Sequence, residues 1–425
     1  MDMLSALFSG ISGLSAHQNA ISVIGNNIAN VNTVGFKGSR TAFSNVLSQS
    51  IIDVGQIGRG VKLADVSKNF AQGSFESTSS VTDLAIDGNG FFIVENSNGR
   101  YYTRAGQFSL NSDGLLVTTD GSRVQGYSIN SSGSRDGSLG DIDLSSPSSS
   151  PKATTKVTLS LNLNSDESVP SAFSTSDPDG TSNFSSAITV YDSLGNGHLT
   201  TVYFRKDSEN TWEWHALVDG GELTGGTSGT LQEVASGTLT FNEYGALDTE
   251  TTTSSDFDFA GGAAQNQSIT FEFGTSITTD GGTGLDGTTQ FAAPSATNFQ
   301  NQDGYSSGSL QSLSINGEGI LTGLFSNGAT KDLYQLALAN FKNPNGLTSI
   351  GGNLFAESKD SGLPILGVGK SSGFGTINSG SLELSNVDLS QEFVNMITIQ
   401  RGFQANSKII LAGDEMLQDL VNLKR

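Results

Sequence analysis

The sequence has no cysteine among its 425 residues, which excludes disulfide bonds, thiol catalysis and thiolate metal ligands. Its three histidines, His17, His198 and His215, are far apart in the chain, so no histidine-based metal or catalytic centre is indicated. No apolar run approaches the roughly 20 residues that span a bilayer, and we expect no membrane insertion. The first basic residue is Lys37, so the N-terminus lacks the charged start of a cleaved secretory signal.

Basic residues are also scarce. The chain has 21 Lys and Arg against 42 Asp and Glu, a formal net charge of −21. Between Asp207 and Thr330 the sequence has no Lys or Arg, and such an acidic surface repels phosphate backbones, so we expect no nucleic-acid binding. One segment has a local basic excess that either docks on an acidic neighbour or forms a solvated face: Lys37, Arg40, Arg59, Lys62 and Lys68.

Motifs for catalysis or cofactor binding are weak. The run GGTGLD (Gly281–Asp286) matches the start of a calcium-binding β-roll repeat but occurs once, and a single copy cannot stack. The glycine-rich turns lack the Lys followed by Ser or Thr of a phosphate-binding loop. Trp212 and Trp214 alternate along a predicted strand, where they either stack on a sugar or pack within the sheet. We expect no enzyme activity, cofactor or metal.

The last forty residues predict a long amphipathic helix. Asp388 is a candidate N-cap with Gln391 three residues later, and no proline follows. A helix of about 35 residues, roughly 50 Å long, is not stable on one apolar stripe alone and needs a partner. The stripe has the seven-residue spacing of a coiled coil and comprises Leu389, Met396, Phe403, Ile410 and Leu417, with Phe393 beginning a more polar companion seam.

The N-terminus offers such a partner, because Leu7, Leu14, Ile21 and Ile28 also recur every seven residues. Either the two terminal helices pair with each other or with copies of themselves, or each packs separately on a globular core. Gly402 and Gly413 within the C-terminal helix each cost about 1 kcal/mol relative to alanine. They either permit close helix approach or bending, or are tolerated in a helix that its neighbours stabilise.

Between the helices the pattern is β. Five short strands separated by Asn-Gly and Asp-Gly turns lie between Phe91 and Tyr127 and predict an antiparallel meander. The fold class we predict is α+β and multidomain, with paired terminal coiled-coil helices flanking two nested, mainly antiparallel β domains. The domains are a helical domain of residues 1–32 with 386–425, an extended linker of residues 33–70, an outer β domain of residues 71–146 with 303–385, and an inserted middle β domain of residues 147–302.

Five separated stretches carry a specific family resemblance: Ile21–Lys37, Asp83–Val94, Tyr102–Val117, Leu338–Leu347 and Leu382–Ile410. They resemble the bacterial flagellar rod and hook axial proteins. Rod members of that family lack most of an inserted β domain, whereas this chain has a long insert from Pro147 to Gln302. Within the insert, Ala187–Lys206 is similar to the middle domain of hook members, so the resemblance favours the hook branch.

The resemblance implies a structural subunit that polymerises into a short curved tube, a universal joint between rod and filament outside the cell. It implies export through the flagellar type III apparatus without a cleaved signal. The implied partners are further copies of the chain and the rod, hook cap and hook–filament junction proteins. The terminal helices would form the inner wall, through the assembly residues Leu7, Leu14, Ile21, Ile28, Leu389, Phe393, Met396, Phe403, Ile410 and Leu417.

Two alternatives stay open on the sequence alone. One is a distal rod protein with an unusual insertion. The other is an oligomeric surface adhesin or glycan-binding β protein that uses Trp212 or Trp214.

Overall fold

The structure, a computed structural model, describes residues 2–46, 49–51, 55–130, 133–145 and 147–422. The chain divides into two compact units. Unit 1 contains residues 1–147, 312–323 and 331–425, and unit 2 contains residues 148–311 and 324–330. The terminal helices and the outer β strands thus belong to one unit. The finer division of unit 1 into helical, linker and outer β domains stays a prediction.

Two long helices pack together in unit 1, as the terminal patterns predict. The α-helices of the described residues are α1 (Asp2–Ala29), the single-turn α2 (Ile277–Asp280) and α3 (Leu389–Asn422). The Asp388 carboxylate accepts hydrogen bonds from the backbone N–H groups of Ser390 and Gln391, at 2.8 and 3.1 Å, which makes it the predicted N-cap. The Gln391 side chain does not complete a capping box but donates to Asn395 instead.

Short strands connect α1 to the β core of unit 1. The strands β1 and β4 form an antiparallel hairpin, and β2 and β3 form a second, smaller antiparallel pair. Their bounds are Ser39–Asn45 for β1, Gln49–Ile51 for β2, Gly55–Ile57 for β3 and Val61–Lys68 for β4.

The main sheet of unit 1 is antiparallel and runs in the order β24-β11-β7-β8-β27-β26. The five strands predicted between Phe91 and Tyr127 all form, but β9 does not pair with β8, so they are not a simple meander. The bounds are β5 (Phe75–Ser77), β6 (Leu84–Asp87), β7 (Phe91–Asn96), β8 (Gly99–Thr103), β9 (Phe108–Leu110), β10 (Leu116–Thr118), β11 (Arg123–Ile129), β12 (Arg135–Asp141), β24 (Thr330–Leu336), β25 (Leu338–Asn340), β26 (Thr348–Gly351), β27 (Leu354–Ala356), β28 (Ile365–Gly367), β29 (Thr376–Ser379) and β30 (Ser381–Glu383).

Unit 2 is a β sandwich. A five-stranded antiparallel sheet, β15 to β19 in sequence order, shares one apolar core with the three-stranded sheet β20-β14-β21. Trp212 and Trp214 lie at the centre of that core, with Trp214 packed against Phe271 and Phe273. The bounds are β13 (Ser148–Ser149), β14 (Lys156–Asn162), β15 (Phe184–Tyr191), β16 (Gly197–Ser208), β17 (Thr211–Asp219), β18 (Leu231–Phe241), β19 (Leu247–Ser255), β20 (Thr270–Glu272) and β21 (Ala296–Gln302). The strands β22 (Gly308–Ile315) and β23 (Ile320–Phe325) each have residues in both units.

Candidate assembly surface of the terminal helices

The helices α1 and α3 run antiparallel. Near the start of α1, Leu7 lies against Gly413, and further along Gly10 lies against Ile410. Near the end of α1, the Asn27 amide donates to Glu392 at 3.3 Å. As the residue number rises on one helix it falls on the other, so the first helix of the chain and the last are direct partners.

Glycines line the contact between the two helices. A Cβ added at Gly13 would lie 2.7 Å from Nδ2 of Asn406, and one added at Gly402 would lie 2.8 Å from Nε2 of His17. At Gly413 the added Cβ would lie 2.7 Å from Cδ2 of Leu7. Real Cβ atoms do not approach other atoms this closely, so the glycines permit a close helix approach. Of the readings left open for Gly402 and Gly413, the structure supports close approach.

The buried stripe of α1 differs from the predicted seam. The leucine and isoleucine seam Leu7, Leu14, Ile21 and Ile28 is only half-buried. From residue 6 onward, where side chains of α1 are described, the fully buried positions are mostly small residues beside that seam: Gly10, Gly13, Ala16, Ala20, Ile24 and Asn27. Small residues contribute little to a hydrophobic pattern, so periodicity located the helix and its general face but not the contacting residues.

The predicted residues of α3 divide between the helix contact and the surface. Met396, Phe403 and Ile410 are half-buried, and Ile410 lies against Gly10 of α1. Leu389, Phe393 and Leu417 are exposed, and so are several apolar residues outside the predicted seam: Val394, Ile397, Ile409, Leu411 and Met416. Among the side chains of α1 that the structure describes, the large apolar ones that are exposed are Phe8 and Ile11. The helix pair therefore presents apolar side chains outward on both helices, and the ten assembly residues stay a prediction.

The β1–β4 hairpin is fastened to α1 by polar contacts that the sequence did not reveal. The Asn27 side chain mimics a neighbouring strand: its amide donates to the Ser39 carbonyl at 2.8 Å, and its oxygen accepts from the Ser39 N–H at 2.9 Å. The Ser12 hydroxyl accepts from the Val61 N–H at 3.2 Å. The only available signal was the asparagine-rich run around Asn27, which indicated a helix exit.

A buried ion cluster joins both chain ends to the β core of unit 1. The Lys37 ammonium lies 2.6 Å from Oε1 of Glu383, and an Arg104 guanidinium nitrogen lies 3.4 Å from Oε2 of the same carboxylate. Burial lowers the pKa of Lys37 and of Arg104, and the Glu383 carboxylate offsets part of each shift. The prediction that placed Lys37 in a basic docking or solvated face is wrong, because this side chain is fully buried.

The structure also bears on the alternative chemistries. Trp212 and Trp214 are fully buried, so neither indole presents a face to a sugar. The Asp286 carboxylate of the single GGTGLD run accepts hydrogen bonds from the N–H and hydroxyl of Thr275.

Over the part of the chain that the structure describes, no three His, Asp or Glu side chains converge as metal ligands. Among the same residues, neither α1 nor α3 is apolar enough over its length to cross a bilayer.

Four family models match the chain in order. They are described as flagella basal body rod protein (residues 7–37), flagellar hook protein FlgE/F/G D1 domain (85–162), flagellar basal body protein FlaE D2 domain (162–305) and flagellar basal body rod FlgEFG protein C-terminal (378–423). Together they cover both terminal helices, part of the outer strands and most of unit 2.

Full-length relatives agree with these models. The flagellar hook protein FlgE of Salmonella typhimurium is 37% identical over 421 residues, covering 97% of this chain and 98% of that protein. The flagellar hook protein FlgE of Borreliella burgdorferi is 35% identical over 460 residues, covering 99% of this chain and all of that protein. The crystal structure of Helicobacter pylori flagellar hook protein FlgE2 is a more distant likeness, with 16% identity, a TM-score of 0.48, and coverage of 72% of this chain and 100% of that one.

Relatives above 30% identity span nearly the whole chain, and rod and hook models match its termini and its insert. The chain therefore belongs to the flagellar hook protein FlgE family, within the wider family of flagellar rod and hook proteins.

Proposed function

We propose that copies of this chain polymerise into the tubular wall of the flagellar hook through the outward faces of α1 and α3. One observation carries this proposal: α1 and α3 contact each other through a glycine-lined face, and several of their large apolar side chains face outward. Phe8 is 66% exposed, Val394 58% and Leu411 60%. Exposed apolar side chains grouped on one element mark a protein–protein contact, and further copies of the chain are the partner of a polymer.

The two units have different mechanical roles in a universal joint. The helix layer supplies permanent, largely apolar contacts that resist torsion. The surface of unit 2 is acidic and rich in hydroxyl groups, with cross-strand pairs such as Thr238–Thr251 and Thr240–Thr249, whose hydroxyl oxygens lie 2.6 Å apart. Polar surfaces of this kind form small, hydrated contacts that can slide as the tube bends. Like charge on these units also opposes clumping.

The partners that follow are the rod at one end of the tube, the hook–filament junction proteins at the other, and the hook cap during growth. The chain reaches its position through the flagellar export apparatus. A chain without cysteine is compatible with such passage, because its unfolding and refolding involve no disulfide exchange.

Electron microscopy of polymers grown from the purified full-length chain tests the proposal. We expect curved tubes with helices at the inner wall, and discrete monomers under all assembly conditions would contradict it. Ile397→Glu places a charge on the outward face of α3 and should abolish tubes. Leu363→Glu is the matched control, since Leu363 is an exposed apolar residue of unit 1 outside the helices and is 82% exposed.

A deletion of Pro147–Gln302 tests the division of labour. The shortened chain should still polymerise, because both helices remain, but its tubes should bend or supercoil differently. Loss of all polymerisation, with the helices still folded by circular dichroism, would show that unit 2 contributes essential assembly contacts.

A further inference from the structure

A stripe of four charged residues follows the outward side of α3. Arg401, Lys408, Glu415 and Asp419 are all exposed. At about 100° per residue they lie within roughly 40° of one another around the helix. The two basic residues come first along the helix and the two acidic residues follow, so the stripe has a positive half and a negative half.

These charges have no opposite partner in their own helix. Ion pairs within a helix form at spacings of three or four residues. The residues at these spacings from the two basic residues are all uncharged: 397, 398, 404 and 405 for Arg401, and 404, 405, 411 and 412 for Lys408. Within the described residues, none of the four stripe residues takes part in an ion pair. The stripe is therefore free to form ion pairs with another molecule.

Apolar side chains accompany the stripe. Val394 and Ile397 continue it toward the start of α3, and both are more than half exposed. A purely solvated helix face would present polar residues here. Large apolar residues that lie in line with unpaired charges are typical of a protein–protein contact face.

We propose that this stripe joins the α3 helices of neighbouring copies, which lie parallel and displaced by about 11 to 14 residues, or roughly 16 to 21 Å along the helix. Arg401 of one copy then faces Glu415 of the next, and Lys408 faces Asp419. The inference rests on the proposed function, because a tube with two different ends requires all copies to point the same way.

Other parallel displacements fit the charges less well. With no displacement, each stripe residue lies opposite the same residue of the neighbouring copy. Arg401 then faces Arg401, and Glu415 faces Glu415. A displacement of seven residues pairs Lys408 with Glu415 but places Arg401 opposite Lys408. A repeated displaced contact is also heterologous, and contacts of that kind extend into helical polymers.

An antiparallel arrangement is the rival geometry. It would place Arg401 opposite Asp419 and Lys408 opposite Glu415, which also satisfies the charges. That contact is two-fold symmetric and closes on itself as a dimer, so it cannot propagate along a tube. The two geometries therefore predict different residue neighbours.

Engineered disulfides distinguish them, since the native chain has no cysteine to interfere. The double variant Arg401→Cys/Glu415→Cys should, after oxidation of the polymer, give a ladder of cross-linked multimers on a non-reducing gel. The two positions are about 21 Å apart within one helix, too far for an internal disulfide. The matched variant Arg401→Cys/Asp419→Cys should give little cross-linking. Closed dimers from this matched variant, with no cross-linking of the Arg401→Cys/Glu415→Cys variant, would overturn the proposal.

Charge exchange provides a second test that needs no covalent bond. Two double variants each reverse the charges in one half of the stripe: Arg401→Glu/Lys408→Glu and Glu415→Lys/Asp419→Lys. Each should raise the critical concentration for tube formation about tenfold, because two attractive pairs become repulsive. The fourfold variant, with all signs reversed, should restore it. Unchanged polymerisation by both double variants would overturn the inference and leave the proposed function intact, whereas wild-type chains that form no tubes would overturn the proposed function itself.

Discussion

The Nζ atom of Lys37 lies 2.6 Å from Oε1 of Glu383, and both side chains are fully buried. Lys37 follows α1 and Glu383 precedes α3, so this ion pair ties together the chain as it leaves the first helix and as it enters the last. The same carboxylate accepts the Gly73 N–H at 2.9 Å, and Arg104 reaches it from the β core. The helix pair and the outer β strands are thus held by one charged cluster.

Glu383→Gln should destabilise unit 1 by about 3 to 5 kcal/mol, because it leaves two buried cations without their shared anion. Thermal or denaturant unfolding followed by far-ultraviolet circular dichroism measures the loss. Glu95→Gln is the control, since its ion pair with Arg100 is exposed and should contribute less than about 1 kcal/mol. Equal effects of the two substitutions would contradict the role assigned to the cluster.

Gly402→Ala should destabilise the helix pair. The new methyl group meets the His17 ring at 2.8 Å, and overpacking of this kind costs about 1 to 3 kcal/mol, which outweighs the roughly 1 kcal/mol gained from helix propensity. Hydrogen exchange of α1 and α3 peptides reports the change.

Gly25→Ala is the matched substitution on α1. No atom lies within 4 Å of the Cβ it would introduce, so it should stabilise the helix by about 0.5 to 1 kcal/mol. A stabilising effect at both positions would show that the close approach at Gly402 is not required.

Asn27→Ala should loosen the β1–β4 hairpin, because the N–H and carbonyl of Ser39 both lose their partner, at a cost of about 1 to 3 kcal/mol. Hydrogen exchange should rise across residues 39–45 while the core strands of unit 1 stay protected. The exposed neighbour Asn26→Ala should change stability by no more than about 0.5 kcal/mol. Unaltered exchange in the hairpin would refute this anchoring role.

Unit 2 should lose stability in acid through Asp303. Burial raises the pKa of this carboxyl, but hydrogen bonds from Lys152, from the hydroxyl and N–H of Thr155 and from the N–H of Lys156 outweigh burial and hold the pKa far below its ordinary value. A depressed pKa means that the unfolded state binds the proton more readily. The stabilisation is therefore complete above about pH 5 and is lost as the pH falls below about 4.

Asp303→Asn should cost about 1 to 3 kcal/mol at pH 7 and flatten the acid dependence, so that the stability curves of variant and wild type approach each other progressively as the pH falls below about 4. Tryptophan fluorescence reports on the unfolding of unit 2 alone, because Trp212 and Trp214 are the two tryptophans of the chain and both lie in the core of unit 2. Asp166→Asn, at an exposed position of the same unit, is the control. Parallel curves for the Asp303 variant and wild type would contradict the prediction.

The seven-residue spacing at both termini determined that α1 and α3 exist and need partners, and the turn residues between Phe91 and Tyr127 determined five strands. Strand order was not accessible, because local turns specify where a strand ends but not which distant strand it joins. Trp212 and Trp214 illustrate the same limit: alternation predicts a strand, and either face of a strand can be the buried one.

The sequence by itself determined the two terminal helices, the mainly β character of the chain between them, the acidic surface and the family. Only the tertiary structure decided that small residues such as Gly10, Gly13 and Gly413 take part in the contact between α1 and α3, because residues without large side chains contribute little to a hydrophobic pattern. It also decided that Lys37 is buried. Its partner Glu383 lies 346 residues away in the chain, and a contact over that separation exists only once both ends have folded onto the same core.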